Sequence, residues 1–459
     1  MLPRFCVSDR DGALRVPHAA ARRAVEEVFL ACHMAPDDAK NCADVLIAND
    51  LRGNDSHGAS NMLRQYVSKF SDGSQNPTPN IKAVRETPAT AVLDADGALG
   101  LHAGPYAMRM AVNKAKACGM GTVIVKNVGH LGGAGYHAEI ASLSGCIGQC
   151  FGAPGGSIVV PPFAAEPRFG THPIAWAAPA GSEDPFLFDI ATSQVAGNKL
   201  RLAARLGVKL ARDWITDMDG TVVHEEVDVP DEFYMTPFGG TRENGAHKGY
   251  GLACVADILC NTLSGIGAGF LTGGGGLMFV AYDIEAFVDR PIYNSWMDKF
   301  LNGLKNTPSA PGEERVLYPG LYAAETKRDR LKNGIPYHPE VVWWFSQIAQ
   351  ELNTPGLVNA VADLPELPST ITEVQLKKWS EGFSGFLGMR SMSDLSSTSN
   401  GRAFHQSPGR WSQNASNAES SNGGIQRSAS ATRIKILDGS MGRQLCLNGM
   451  PQDDLFRLI

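Results

Sequence analysis

Between residues 89 and 135 short apolar runs alternate with helical stretches, and this rhythm constrains the fold more than any other feature of the chain. Thr90-Ala91-Val92-Leu93 reads as a strand, Pro105 to Cys118 as a helix stopped by Gly119, and Thr122-Val123-Ile124-Val125 as a second strand. The second strand runs into the glycine-rich loop His130-Leu131-Gly132-Gly133-Ala134-Gly135. A strand, loop and helix in that order present backbone N–H groups to an anion and predict an α/β fold. The loop lacks the G-x-G-x-x-G spacing and has no evident acidic ribose partner, so it is not a Rossmann fingerprint.

Upstream, Val25, Val28, Phe29, Ala43, Val45, Leu46 and Ile47 recur at helical spacing. Pro36, followed by Asp37 and Asp38, divides this region into two helices and opens the second. Pro339 to Leu352 reads as an amphipathic helix. A foldable unit therefore spans residues 1–365, with a helical part over 18–80, a cofactor and substrate part over 81–325, and a closing helix over 336–352. Residues 366–389 suggest a short helical extension with capping-box spacing from Thr370 to Glu373. Residues 390–430 are so rich in Ser, Asn and Gly that they cannot bury enough apolar surface to fold, and they are expected to be disordered.

The charge pattern narrows the partners. The formal net charge is -6 and no basic stripe is present, which argues against nucleic acid and anionic membranes. Nine scattered cysteines with no Cys-x-x-Cys pair point away from structural zinc and from a disulfide framework. No metal is expected. The charged N-terminus and the lack of an 18-residue apolar run make the cytosol the expected compartment.

Four places carry candidate chemistry. His57, in Arg52-Gly53-Asn54-Asp55-Ser56-His57-Gly58, is a candidate base; a solvated turn histidine is the alternative. His130 opens the glycine-rich loop, which would otherwise be an ordinary strand-to-helix turn. Asp189 lies in the apolar run Phe186 to Thr192, where a carboxylate needs a partner such as a histidine, unless it caps the next turn. His247 and Lys248 precede the apolar helix Leu252 to Leu263. A lysine at a helix start is sensible if an anion sits there, and a mobile surface lysine is the alternative.

Taken together and in order, these segments resemble the malate/L-lactate dehydrogenase family, which is unrelated to the Rossmann lactate dehydrogenases. The resemblance rests on Asp50 to Gly58, Gly129 to Tyr136, Phe169-Gly170-Thr171-His172-Pro173-Ile174-Ala175, Phe188 to Ser193 and Lys248 to Leu252, over residues 18–360. It implies that family's α/β fold with an atypical, non-Rossmann NAD(P)-binding domain. It further implies a homodimer, NAD or NADP as cofactor, and a small 2-hydroxy acid or 2-oxo acid as substrate. By position, His57 resembles the proton donor or acceptor, with Ser56 and Asp189 as relay partners and His130 a second base. His130, Leu131, Gly132, Gly133 and Ala134 resemble a cofactor loop, and His247, Lys248, Pro319 and Gly320 further cofactor contacts. Thr171 resembles a ligand-pocket residue.

The chain also departs from the family. Asn61 stands where many members carry an arginine suited to a substrate carboxylate; Arg64, nearly one helical turn on, is the candidate substitute. His172 replaces an asparagine. A cyclic imine reductase and a cofactor-binding pseudoenzyme therefore stand as alternatives, and neither the substrate nor the choice of NAD or NADP is specified. Residues 431–459, around Ile436-Leu437-Asp438-Gly439-Ser440-Met441-Gly442, resemble the opening of homocysteine S-methyltransferases, without that family's zinc-binding cysteines, and no activity is assigned to them.

Overall fold

A computed structural model describes residues 3–357. The expected extension, the Thr370 capping box, the Ser/Asn/Gly-rich stretch and the tail lie outside the described residues.

The N-terminal part comprises β1 (Leu14–Val16), α1 (His18–Ala31), α2 (Pro36–Leu51) and α3 (Ala59–Ser71). The central part runs through β2 (Lys82–Glu86), β3 (Thr90–Ala98), α4 (Gly100–Cys118), β4 (Met120–Val128), α5 (Ala134–Leu143), β5 (Cys146–Ala153), β6 (Ile174–Ala178) and β7 (Phe186–Ile190). It continues with α6 (Gly197–Leu206), β8 (Ile215–Thr216), β9 (Tyr234–Met235), α7 (Ala246–Asp257), α8 (Gly269–Thr272) and β10 (Gly276–Asp283). The last elements are α9 (Arg290–Lys305), α10 (Leu321–Asn333), β11 (Ile335–Tyr337) and α11 (Pro339–Leu352).

A seven-stranded sheet in the order β2-β3-β4-β10-β5-β6-β7 forms the centre. Only β3 and β4 pair in parallel, across the α4 crossover that the sequence rhythm announced. β10 returns from far along the chain and inserts antiparallel between β4 and β5. The inward residues Ala91, Leu93, Val123, Val125 and Phe279 pack against Ala103, Ala107, Met108 and Ala111 of α4 and Ala138 of α5. The opposite face buries Phe151, Ile174 and Met278 beneath Ala256 and Cys260. This gives three layers of helices, sheet and helix.

Two details differ from expectation. Helix α4 begins at Gly100, so Pro105 lies inside it rather than opening it. Burial of Leu101 and Ala103 carries the helix back past the proline, although Pro105 offers no N–H to the Leu101 carbonyl. His57 is also followed at once by α3, whose buried Met62, Leu63, Tyr66 and Val67 repeat at helical spacing.

The second core joins the two ends of the described chain. β1 pairs antiparallel with β11, and Trp344, Phe345 and Ile348 of α11 pack among Val25, Phe29, Leu46 and Leu63. Beneath the His57 loop, the Asp50 carboxylate accepts from the Ala59 N–H (2.9 Å), the Ser60 hydroxyl (3.0 Å) and the Tyr337 hydroxyl (2.9 Å). Those three donors oppose the burial that pushes the Asp50 carboxyl up to about 7. Arg330 of α10 pairs with Asp55 and donates to the Asp50 carbonyl. The loop is therefore clamped from the far end of the fold.

Candidate functional site

Two loops bring His57 and His130 face to face. Their rings stack with centroids 5.8 Å apart and planes within 16°. His57 sits on the tight connection between α2 and α3, and His130 on the connection between β4 and α5. The two connections interlock: a Cβ on Gly133 would lie 2.1 Å from Asn49 Oδ1, so only glycine lets the second loop seat against α2.

The hydrogen bonds fix how each imidazole carries its proton. Ser56 Oγ donates to Asn54 Oδ1 (3.1 Å) and stands 2.9 Å from His57 Nδ1. With its own hydrogen committed, the hydroxyl accepts from His57 Nδ1–H, which leaves the lone pair on Nε2. Asn54 Nδ2 in turn donates to Asn49 Oδ1 (3.0 Å), and Asn49 Nδ2 to the Val45 carbonyl (2.8 Å), so the chain of donors points one way. At His130 the pattern is reversed. Its Nδ1 accepts from the Tyr66 hydroxyl (2.7 Å) and the Gly132 N–H (3.2 Å), leaving Nε2 to carry the hydrogen. One ring thus offers a base and the other a donor.

The electrostatics keep both rings neutral. Burial, with a smaller contribution from Lys199, lowers His57 to about 4. Burial, then the neighbouring His57 ring and the positive charges of Lys69 and Arg201, holds His130 well below the ordinary histidine range. Lys199 and Arg201 belong to α6, and Lys69 lies one turn beyond Tyr66 on α3.

The other expected site residues fall in several places. Asn61 is buried, its Nδ2 donating to the Ser56 and Asn198 carbonyls at 3.2 Å each. Arg64 is buried and pairs with Glu351 beside α11. Leu131, Gly132, Gly133 and Ala134 are all buried. Asp189 accepts from the Gly135 N–H (2.7 Å) at the start of α5; among the described residues no hydrogen bond joins it to Ser56 or His57. Enclosure by protein pushes its carboxyl up to about 6, and solvent exposure of the side chain argues for a smaller rise.

Thr171 is half-buried, and its carbonyl accepts from the Thr192 N–H (2.9 Å), while the Thr192 carbonyl accepts from the Phe238 N–H (2.7 Å). Two of the sequence segments, Phe169 to Ala175 and Phe188 to Ser193, meet in that ladder. Behind it, the buried His172 takes a left-handed backbone (φ 35°), donates from Nδ1 to the Gly170 carbonyl (3.0 Å), and faces Asp257 at 3.4 Å. His247 and Lys248 are exposed on the first turn of α7. Pro319 is tied to β7 through the Leu187 N–H (3.0 Å), and Gly320 lines a cleft of about 240 Å³ with Arg52, Leu187 and Lys327.

Sequence reasoning missed Tyr66, Asn54, Lys69, Lys199 and Arg201. Tyr66 follows the apolar stripe of α3 and looks like core; only its hydroxyl, resting on His130, distinguishes it.

A family profile described as malate/L-lactate dehydrogenase matches residues 16–344. The chain is 35% identical to the malate dehydrogenase of Pyrococcus abyssi over 75% of its own length and 96% of that protein's. It is 33% identical to the L-sulfolactate dehydrogenase of Methanocaldococcus jannaschii, over 69% of this chain and 91% of that one. The solved structure of malate dehydrogenase from Pyrococcus horikoshii superposes with a TM-score of 0.70 at 32% identity, covering 76% of this chain and 98% of that one.

Proposed function

Because the chain belongs to the malate/L-lactate dehydrogenase family, we propose that His57 and His130 form the reacting centre of an oxidoreductase acting on the CH–OH group of a small 2-hydroxy acid. The stacked imidazoles with opposite tautomers are the observation that carries this reading. In the oxidative direction His57 Nε2 takes the hydroxyl proton as the C–H bond gives up its hydride. His130 Nε2–H donates to the same oxygen and stabilises the charge that gathers on it. Ser56 and Asn54 hold His57 in the basic tautomer throughout. In the reductive direction His57 returns the proton to the new alkoxide.

A bound nicotinamide supplies the hydride acceptor or donor. The groups that would hold one are the loop His130, Leu131, Gly132, Gly133 and Ala134, whose Gly132 N–H already donates to His130, and the exposed Lys248 and His247 at a helix start, where an anion is favoured. Gly320 adds a backbone edge to the cleft beside β7, and Pro319 precedes it, tied to Leu187. Thr171 lines the ligand pocket, and Asp189 steadies the cofactor loop through Gly135. A homodimer, the cytosol, and the choice between NAD and NADP belong to the same reading. Among the described residues no helix is long and apolar enough to cross a membrane.

The hydroxy acid is favoured over a cyclic imine by the malate and sulfolactate dehydrogenases matched at about a third identity. The deciding experiment assays the full chain with NADH and NADPH against a panel of 2-oxo acids and cyclic imines, following loss of reduced-cofactor absorbance. Turnover of 2-oxo acids supports the proposal. Turnover of imines alone, or of neither class, overturns it.

A further inference from the structure

Asn61 cannot hold a carboxylate, because both of its amide hydrogens are committed to the Ser56 and Asn198 carbonyls. Arg64 is turned away to Glu351. The cation that a 2-oxo acid needs beside the two imidazoles has to come from elsewhere, and α6 supplies it.

Asn198, Arg201 and Arg205 are spaced three and four apart on one face of that helix. Both outer members touch Asn61: the Asn198 carbonyl accepts from it, and Arg205 Nη2 donates to its Oδ1 at 3.4 Å. Arg201, between them, donates from Nη1 to Asn198 Oδ1 at 3.2 Å. Its guanidinium abuts the amide of Gln65, one turn beyond Asn61 on α3. Arg201 therefore lies against α3 at Gln65, beside the Asn198–Asn61 contact, and Gln65 is followed on the same helix by Tyr66, whose hydroxyl rests on His130. Its positive field reaches both His130 and Lys69.

We propose that Arg201 binds the substrate carboxylate, taking from a different helix the part that an arginine at position 61 plays elsewhere in the family. The planar guanidinium carries five N–H donors, more than Asn198 and the Gln65 amide take up, and a pair of them is the geometry a carboxylate accepts best. Lys69 and Lys199 place further positive charge around the same pair of imidazoles, and an anion arriving there relieves their mutual repulsion. This assignment rests on the reading of His57 and His130 as the reacting pair.

The test separates the two. Wild type and Arg201→Leu, each saturated with NADH, are titrated calorimetrically with oxamate, a 2-oxo acid mimic that is not reduced. Both are also assayed with 2-oxo acids. In the variant, oxamate affinity falls and KM rises by about 30-fold or more, while NADH affinity stays within about 2-fold. Adding Asn61→Arg to Arg201→Leu restores much of the loss. If Arg201→Leu does not fold, Arg201→Gln replaces it in the same titration. Unchanged oxamate affinity in a folded variant overturns the assignment. A wild type that binds oxamate through Arg201 but reduces no 2-oxo acid overturns the proposed reaction and leaves the clamp standing. A wild type that does not bind oxamate overturns the clamp.

Discussion

The lone pair of His57 Nε2 and the hydrogen of His130 Nε2 belong to rings stacked 5.8 Å apart, so base and donor are presented side by side. Each tautomer is fixed by a different neighbour, Ser56 for one and Tyr66 for the other.

Removing the base separates chemistry from binding. His57→Ala lowers kcat by about 10²- to 10⁴-fold while NAD(P)H affinity, read by calorimetry, stays nearly unchanged. Near-normal turnover in that variant rules His57 out. Tyr66→Phe leaves His130 Nδ1 held by the Gly132 N–H alone and lowers kcat by about 10-fold, with little effect on the melting temperature beyond one lost hydrogen bond.

The depressed histidines set the pH behaviour of the fold. His57, His137 and His338 are each held near 4, and His130 is held well below the ordinary histidine range, all chiefly by burial, against about 6.5 in an unfolded chain. A depressed pKa favours the neutral form in the native state, so this contribution is complete above about pH 6.5 and is lost as pH falls through about 4. For the fully buried His137 alone the shift corresponds to on the order of 3 kcal/mol. The melting temperature should drop steeply between those limits. A flat profile there would show that the histidines protonate without cost.

Lys248 tests the cofactor side. Its ammonium lies exposed on the first turn of α7. Lys248→Ala weakens NADH or NADPH binding by about 10-fold and leaves the melting temperature of the unliganded protein unchanged. Equal affinity in wild type and variant places the diphosphate elsewhere.

Gly58 tests the clamp beneath the loop. Its φ of -85° suits any residue, but a Cβ there would lie 1.8 Å from Asp50 Oδ1. Gly58→Ala therefore displaces the carboxylate that ties Ala59, Ser60 and Tyr337 together. A loss of about 3 kcal/mol in denaturant unfolding is expected. Wild-type stability in this variant would mean that the Asp50 network tolerates rearrangement.

Much of this was legible in the chain. The split between α1 and α2 at Pro36, the β3-α4-β4 rhythm and the loop after β4 follow from local patterns. So does the nomination of His57 and His130. Their stacking is not local, since it depends on how α2 and the loop after β4 interlock at Gly133. Tyr66 was hidden because an aromatic on an apolar stripe is ordinarily core. Arg201 was hidden because its relation to Asn61 crosses 140 residues of sequence and depends on the docking of α6 against α3. The insertion of β10 between β4 and β5 has no local signature either.

The clamp on the His57 loop has a consequence for how the protein is made. Arg330 meets Asp55 from 275 residues away, and Tyr337 meets Asp50 from 287. During synthesis the His57 loop emerges early, but the side chains that hold it emerge almost 300 residues later. The first helices can gather on the ribosome, yet closing so long a loop comes late and at an entropic cost. The site should therefore form abruptly once β11 has emerged, and a nascent chain stalled before β11 should have both histidines but no assembled His57 loop.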